Sequence, residues 1–124
     1  MKFGVFYEFQ LPRPWAEHSE YELLQNGLTQ IELADRLGYD YAWEVEHHFL
    51  EEYSHSAAPE VFLGAASQRT KNIRLGHGIV QLTTNHPARV AERVATLDPS
   101  PMPNSTRPSE TRSSIETRSA TRAG

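Results

Sequence analysis

Residues 43–49 read W-E-V-E-H-H-F, which places two adjacent imidazoles, His47 and His48, beside the carboxylates Glu44 and Glu46 and between the aromatic residues Trp43 and Phe49. Imidazole exchanges protons near neutral pH, so this pair is the obvious acid/base candidate of the chain. A metal centre needs several donors aimed at one point. Adjacent residues of a strand point to opposite faces, so His47 and His48 converge only if the chain turns between them. The pairs His47/Glu51 and His48/Glu52 have helical spacing, but this is not the H-E-x-x-H pattern of zinc peptidases. No metal site is expected. The residues alone leave two readings: proton transfer in a pocket, or one hydrogen-bonded structural histidine beside one solvated histidine.

A second stretch, L-G-H-G-I-V at 75–80, has Gly76 and Gly78 close to the end of an apolar run. Glycine at a strand end lets a flat ligand or another backbone approach; it equally marks a bulge or a barrel corner. His77 is expected to face the other side of the strand. His86, just before Pro87, reads as a helix-start residue.

The elements that must position these groups follow from pattern. K-F-G-V-F-Y, residues 2–7, is a short β-branched and aromatic run and predicts a first strand. Ser19 with Glu22 three places on has the capping-box pattern, and Leu24, Leu28 and Ile31 line one helical face up to a stop at Gly38. Y-D-Y-A-W-E-V predicts the second strand. Pro59 opens a second helix reaching about Thr70, with Val61, Phe62, Ala65 and Ala66 as its apolar side. I-R-L-G-H-G-I-V predicts the third strand. Pro87 opens a third helix, with Val90, Val94 and Leu97 at helical spacing, which must stop by Asp98 because Pro99 follows. The order β-α-β-α-β-α implies an α/β fold with a parallel sheet, either open and doubly wound or part of a (β/α)8 barrel. In both architectures ligands gather at the carboxyl ends of strands, where E-H-H-F falls. Neither a G-x-G-x-x-G nor a G-x-x-x-x-G-K-[ST] phosphate loop is present.

Composition sets outer limits. The chain has 124 residues, no cysteine and a formal net charge of −4. It therefore has no disulfide framework and no thiolate metal site. The absence of clustered cations argues against a nucleic-acid surface. No apolar run is long enough for a membrane span and no secretory signal is recognisable, so a cytoplasmic location is expected. Up to Asp98, 8 Lys and Arg stand against 14 Asp and Glu; beyond it, 4 Arg stand against 2 Glu in a segment dominated by Ser, Thr, Pro and Arg. The expected organisation is a structured part, 1–98, and a disordered tail, 99–124.

Three stretches, M-K-F-G-V-F, A-D-R-L-G-Y-D-Y-A-W-E-V-E-H-H-F and I-R-L-G-H-G-I-V-Q-L-T-T-N-H-P-A-R-V-A-E-R-V-A-T-L-D, in this order, resemble the luciferase-like flavin-dependent monooxygenases over residues 1–98. The resemblance implies a (β/α)8 TIM barrel that binds reduced FMN, usually supplied by a separate flavin reductase, and uses molecular oxygen to oxygenate an organic small molecule. By the same resemblance, His47 is the catalytic histidine near the reactive flavin edge, supported by Glu46 and His48. Gly78 and Ile79 match the cofactor-binding segment against the flavin ring, where some members carry a non-proline cis peptide. A deazaflavin used for hydride transfer is the alternative within the superfamily. The resemblance also implies pairing through the second and third helices, where G-A-A-S at 64–67 would permit close approach.

A complete barrel of this kind takes about 250 residues. The chain supplies three strand–helix units, and after A-T-L-D it departs from the family's usual continuation. An incomplete barrel, from a frame shift or a truncated gene, is therefore expected, with weak or no activity alone. A non-enzymatic remnant that pairs with an intact homologue is the competing reading.

Overall fold

The computed structural model describes residues 1–98. The tail expected to be disordered, 99–124, lies outside the described residues. Three strands, β1 (Gly4–Tyr7), β2 (Tyr41–Glu44) and β3 (Arg74–His77), alternate with three helices, α1 (Ser19–Arg36), α2 (Pro59–Ser67) and α3 (Pro87–Leu97). The strands form one parallel sheet in the order β1-β2-β3, in register Val5–Ala42–Leu75, Phe6–Trp43–Gly76 and Tyr7–Glu44–His77. The alternation expected from the sequence is present. Each strand is shorter than its apolar run, because hydrogen-bonded pairing ends where the chain turns into the loops.

The core lies between the helices and one face of the sheet. Leu28, Ile31 and Ala34 of α1 and Phe62, Leu63 and Ala66 of α2 close over Ala42, with Val5 and Leu75 packed against them. Ile31 and Leu63 are almost fully buried. Phe9, at φ 53°, turns its ring inward to stack on Tyr7 and meet Phe62 edge-on at 4.7 Å. Gly27 makes room for it, since a Cβ there would stand 2.6 Å from the Phe9 ring.

Several local expectations change. Ser19 is the first residue of α1 and not its cap; its hydroxyl accepts from the Ala16 N–H, and His18 takes the N-cap position. Val61 and Ala65 of α2 face outward, and Leu63 takes the inward place expected of them, because the helix turns its Phe62–Leu63–Ala66 stripe to the sheet. Of the apolar residues expected along α3, only Val90 and Leu97 are half-buried, while Val94 is exposed. Gly38 does follow the end of α1, with φ 81°, and His86 caps α3 by accepting from the Ala88 N–H through Nδ1.

The opposite sheet face is open. Phe6 and Trp43 are 56% and 39% exposed. The two glycines of the third strand's run are explained here. A Cβ on Gly76 would meet the Trp43 ring at 2.5 Å, and one on Gly78 would meet the Phe6 ring at 2.9 Å. Within this chain they leave space for neighbouring aromatic rings on the open face. Among the described residues the outer edges of β1 and β3 have no strand partner.

Candidate functional site at the carboxyl end of the sheet

The three loops that follow the strands interlock at one end of the sheet. The β1–α1 and β2–α2 loops are joined by Leu11 N–H to Glu52 O at 2.9 Å, His55 N–H to Phe9 O at 3.0 Å and the Ser54 hydroxyl to Glu8 O at 2.6 Å. Arg13 adds an exposed ion pair to Glu51 at 2.8 Å. Glu51 and Glu52 are thus engaged by Arg13 and do not share a helical face with the histidines. Among the described residues, no group of three or more His, Cys, Asp or Glu is placed to hold a metal ion.

His47 stands three residues past β2. Its N–H donates to Ser56 O at 2.9 Å, its ring lies 5.8 Å from the Tyr53 ring, and its Nδ1 is buried with no hydrogen-bond partner. Gly78 follows β3 directly and donates its N–H to Glu44 O at 2.7 Å, which ties it to the last residue of β2. Ile79 is 68% exposed. The described cis peptide bond is Arg13–Pro14, so the non-proline cis peptide of some family members is not present at Gly78–Ile79. His48 takes the other direction from His47: its Nε2 lies 3.1 Å from Glu46 Oε1. The expected support of His47 by Glu46 and His48 is therefore replaced by a Glu46–His48 pair.

Glu46, expected only as a support of His47, is a hub whose bonds to the loop after β3 were not expected from the sequence. Its carboxylate accepts from the Gln81 N–H at 2.9 Å and from Asn85 Nδ2 at 2.9 Å, and its carbonyl accepts from Gln81 Nε2 at 2.7 Å. Burial alone would raise its pKa. The Gln81 N–H, His48 and Asn85 outweigh that and hold the carboxyl below its ordinary range. Asn85 also accepts from Arg93 Nη1 at 3.1 Å, and Arg93 pairs with Glu60 of α2 at 3.0 Å. The sequence signal was weak, because Gln81 and Asn85 are polar loop residues of a kind found on any surface.

Glu44 is the second unforeseen group. It is 1% exposed, on the helix-facing side of the sheet beside Tyr7 and His77. Burial, reinforced by the nearby Glu60 charge and only partly opposed by Ser56, raises its pKa to about 8. The geometry agrees. Ser56 Oγ stands 2.6 Å from Glu44 Oε1 and 2.7 Å from Val45 O. A hydroxyl has one proton to give and the Val45 carbonyl can only accept, so a protonated Glu44 donating to Ser56 satisfies both contacts. Burial likewise lowers the His77 pKa, with the Glu60 and Glu46 charges opposing. As expected, His77 faces away from the glycine side.

Comparison with known proteins fits this arrangement. The family model described as luciferase-like monooxygenase matches residues 1–99. Limonene 1,2-monooxygenase of Rhodococcus erythropolis is 40% identical over 87 residues, which are 68% of this chain and 22% of that protein. Monooxygenase RslO1 of Streptomyces bottropensis superposes with a TM-score of 0.70 at 35% identity, over 80% of this chain and 30% of its own. The oxygenating constituent of 3,6-diketocamphane monooxygenase of Pseudomonas putida, solved in complex with FMN, shares the fold with a TM-score of 0.71 at 23% identity, over 80% and 26%. The coenzyme F420-dependent tetrahydromethanopterin reductase of Methanopyrus kandleri superposes with a TM-score of 0.56 at 30% identity, over 78% and 23%. The chain thus spans about a fifth to a third of the length of these relatives. The three parallel strand–helix units correspond to part of the TIM barrel of such enzymes. With the family model covering residues 1–99, the chain belongs to the luciferase-like monooxygenase family.

Proposed function

We propose that the chain supplies the first three strand–helix units of a flavin-dependent monooxygenase barrel, with His47 as its proton-handling group and Gly78 and Ile79 against the flavin ring. The observation that carries this reading is the family match across residues 1–99, in which E-H-H-F falls at the carboxyl end of β2, beside the end of β3. The residues present suit the ring end of a flavin. His47 has a buried Nδ1 without an internal partner, so it can bond a ligand. Ile79 offers exposed apolar surface. Reduced FMN, when bound, supplies the electrons with which oxygen is activated for transfer to an organic substrate. The chain's own contribution is to hold or pass a proton at the His47 ring, to present Ile79 and the Gly78 backbone as a wall, and to keep His47 in place through Ser56. A separate reductase as the source of reduced flavin, a cytoplasmic setting and pairing through α2 and α3 belong to the same reading. Among the described residues no helix is long and apolar enough to cross a membrane. In α2, Ala66 is committed to the chain's own core, which leaves Val61 and Ala65 as its outward face.

The 124-residue chain alone is expected to bind FMN weakly and to turn over little, because barrel ligand sites draw on loops from many strands. A titration followed by amide NMR tests this. The expected result is small, non-saturating shifts centred on 46–48 and 78–80. Shifts confined to other regions would overturn the site, and micromolar binding with turnover would overturn the weakness. A deazaflavin is the second reading, favoured by the F420-dependent neighbour; stronger shifts at the same residues with a deazaflavin than with FMN would select it.

A further inference from the structure

We propose that Glu46 is a positioning residue that acts on the loop after β3: its carboxylate latches residues 79–86 to the end of β2 and so sets where the segment that starts at Ile79 stands. The importance of that segment rests on the flavin reading above; the latch itself does not. Three observations converge. Glu46 is a buried carboxylate, and both its oxygens are used by the 79–86 loop, Oε2 by the Gln81 N–H and Oε1 by Asn85 Nδ2. The Gln81 side chain returns a bond to the Glu46 carbonyl at 2.7 Å, so one residue is gripped from two sides. The Asn85 amide has its orientation imposed, because Arg93 donates to its Oδ1 while its Nδ2 faces the carboxylate and the Gln81 carbonyl at 3.0 Å. The loop has few apolar anchors of its own: Ile79 and Leu82 are 68% and 59% exposed. Hydrogen bonds to a charged, buried acceptor are among the stronger ones, and here they stand in for a core. His48 completes the cluster at Oε1.

The chemistry dictates a reciprocal test. In Glu46→Gln, an amide offers one acceptor where two donors, Asn85 Nδ2 and the Gln81 N–H, need one each. Whichever way it turns, its NH2 faces a donor. In Asn85→Asp, a second carboxylate faces Glu46. In the double variant Glu46→Gln/Asn85→Asp, the introduced amide NH2 can donate to the new carboxylate while the amide oxygen keeps the Gln81 N–H, and Arg93 gains an ion pair; only the bond from position 85 to the Gln81 carbonyl is not restored.

Amide hydrogen exchange on the full chain reads the outcome. In Glu46→Gln, protection at Gln81 and its loop neighbours is expected to fall roughly 10-fold or more, while the Gly78 amide bonded to Glu44 stays protected. Asn85→Asp should loosen the same residues, and the double variant should recover part of the loss. Unchanged protection in both single variants, or no recovery in the double, would overturn the latch; a merely bulky or generally polar role predicts no recovery. If Glu46→Gln does not fold, Asn85→Ala removes one donor and leaves the carboxylate. It should loosen 81–85 selectively, and no change there would also overturn the proposal. Because no arm uses a flavin, failure here is distinct from failure of the FMN titration.

Discussion

At the scale of single residues, Glu44 carries the clearest consequence. Its carboxyl is neutral in the fold below about pH 8, whereas in the unfolded chain it ionises near 4.5. The folded state therefore holds an extra proton across that interval, and stability falls as pH rises from about 4.5 through about 8. Glu44→Gln keeps a neutral side chain of similar shape whose amide NH2 can still donate to Ser56. It is expected to raise stability at pH 7 by on the order of 2–3 kcal/mol and to flatten the decline. Thermal melts of the two proteins from pH 5 to 8 check this; parallel curves would show that Glu44 is not the titrating group. Glu46, two residues on, has the opposite sign. Its lowered pKa adds stability above the ordinary carboxylate range, lost as pH falls through its folded value. Two carboxyls of one strand end differ because one is ringed by donors and the other is not.

At the scale of elements, the sheet is joined to α1 by a single carboxylate as well as by packing. Asp35, in the last turn of α1, accepts from the backbone N–H groups of Lys71, Asn72 and Ile73 at 2.7–2.8 Å. An acidic residue at a helix C-terminus is unfavourable to the helix dipole. Burial, too, would raise its pKa, but the three N–H groups outweigh burial and lower it. This arrangement fixes the start of β3 against α1 independently of strand pairing. Asp35→Ala is expected to cost about 1–3 kcal/mol, the range for lost hydrogen bonds to a charged group. Urea unfolding measures it; a change under about 0.5 kcal/mol would mean that water replaces the carboxylate at little cost. The capping-box expectation failed at this same scale. Ser19 and Glu22 have the right spacing, yet the Ser19 hydroxyl is taken by Ala16, so the helix begins one residue earlier than a serine cap would place it.

At the scale of the whole molecule, the described chain has one sealed side and one bare side. The helices seal Ala42 and its neighbours, while Phe6, Trp43 and Ile79 stay exposed and two strand edges stay unpaired among the described residues. Exposed aromatic surface flanked by open edges promotes association. The isolated chain is expected to self-associate as its concentration rises and to bind ANS, and Phe6→Lys should weaken both. Sedimentation velocity over a concentration series, with dye fluorescence, is the check. A concentration-independent monomer without dye binding would contradict it.

Much of this was legible in the sequence for a physical reason: strand and helix periodicity, Pro59 and Pro87 at helix starts and Gly38 at a helix stop are local constraints that act within a few residues. The parallel order, the position of E-H-H-F at a strand's end and the role of His86 as a cap follow from them. What only the tertiary structure decided depends on residues far apart in the chain. Trp43 and Glu44 are neighbours, and hydrophobicity alone would bury the first and expose the second. The register with Gly76 and His77, and the helices on one face only, reverse that choice. Gly76 and Gly78 make space for Trp43 and Phe6, partners far away along the chain. The Glu46 latch joins residues separated by 35 and 39 positions, through polar groups whose meaning appears only when the fold brings them together.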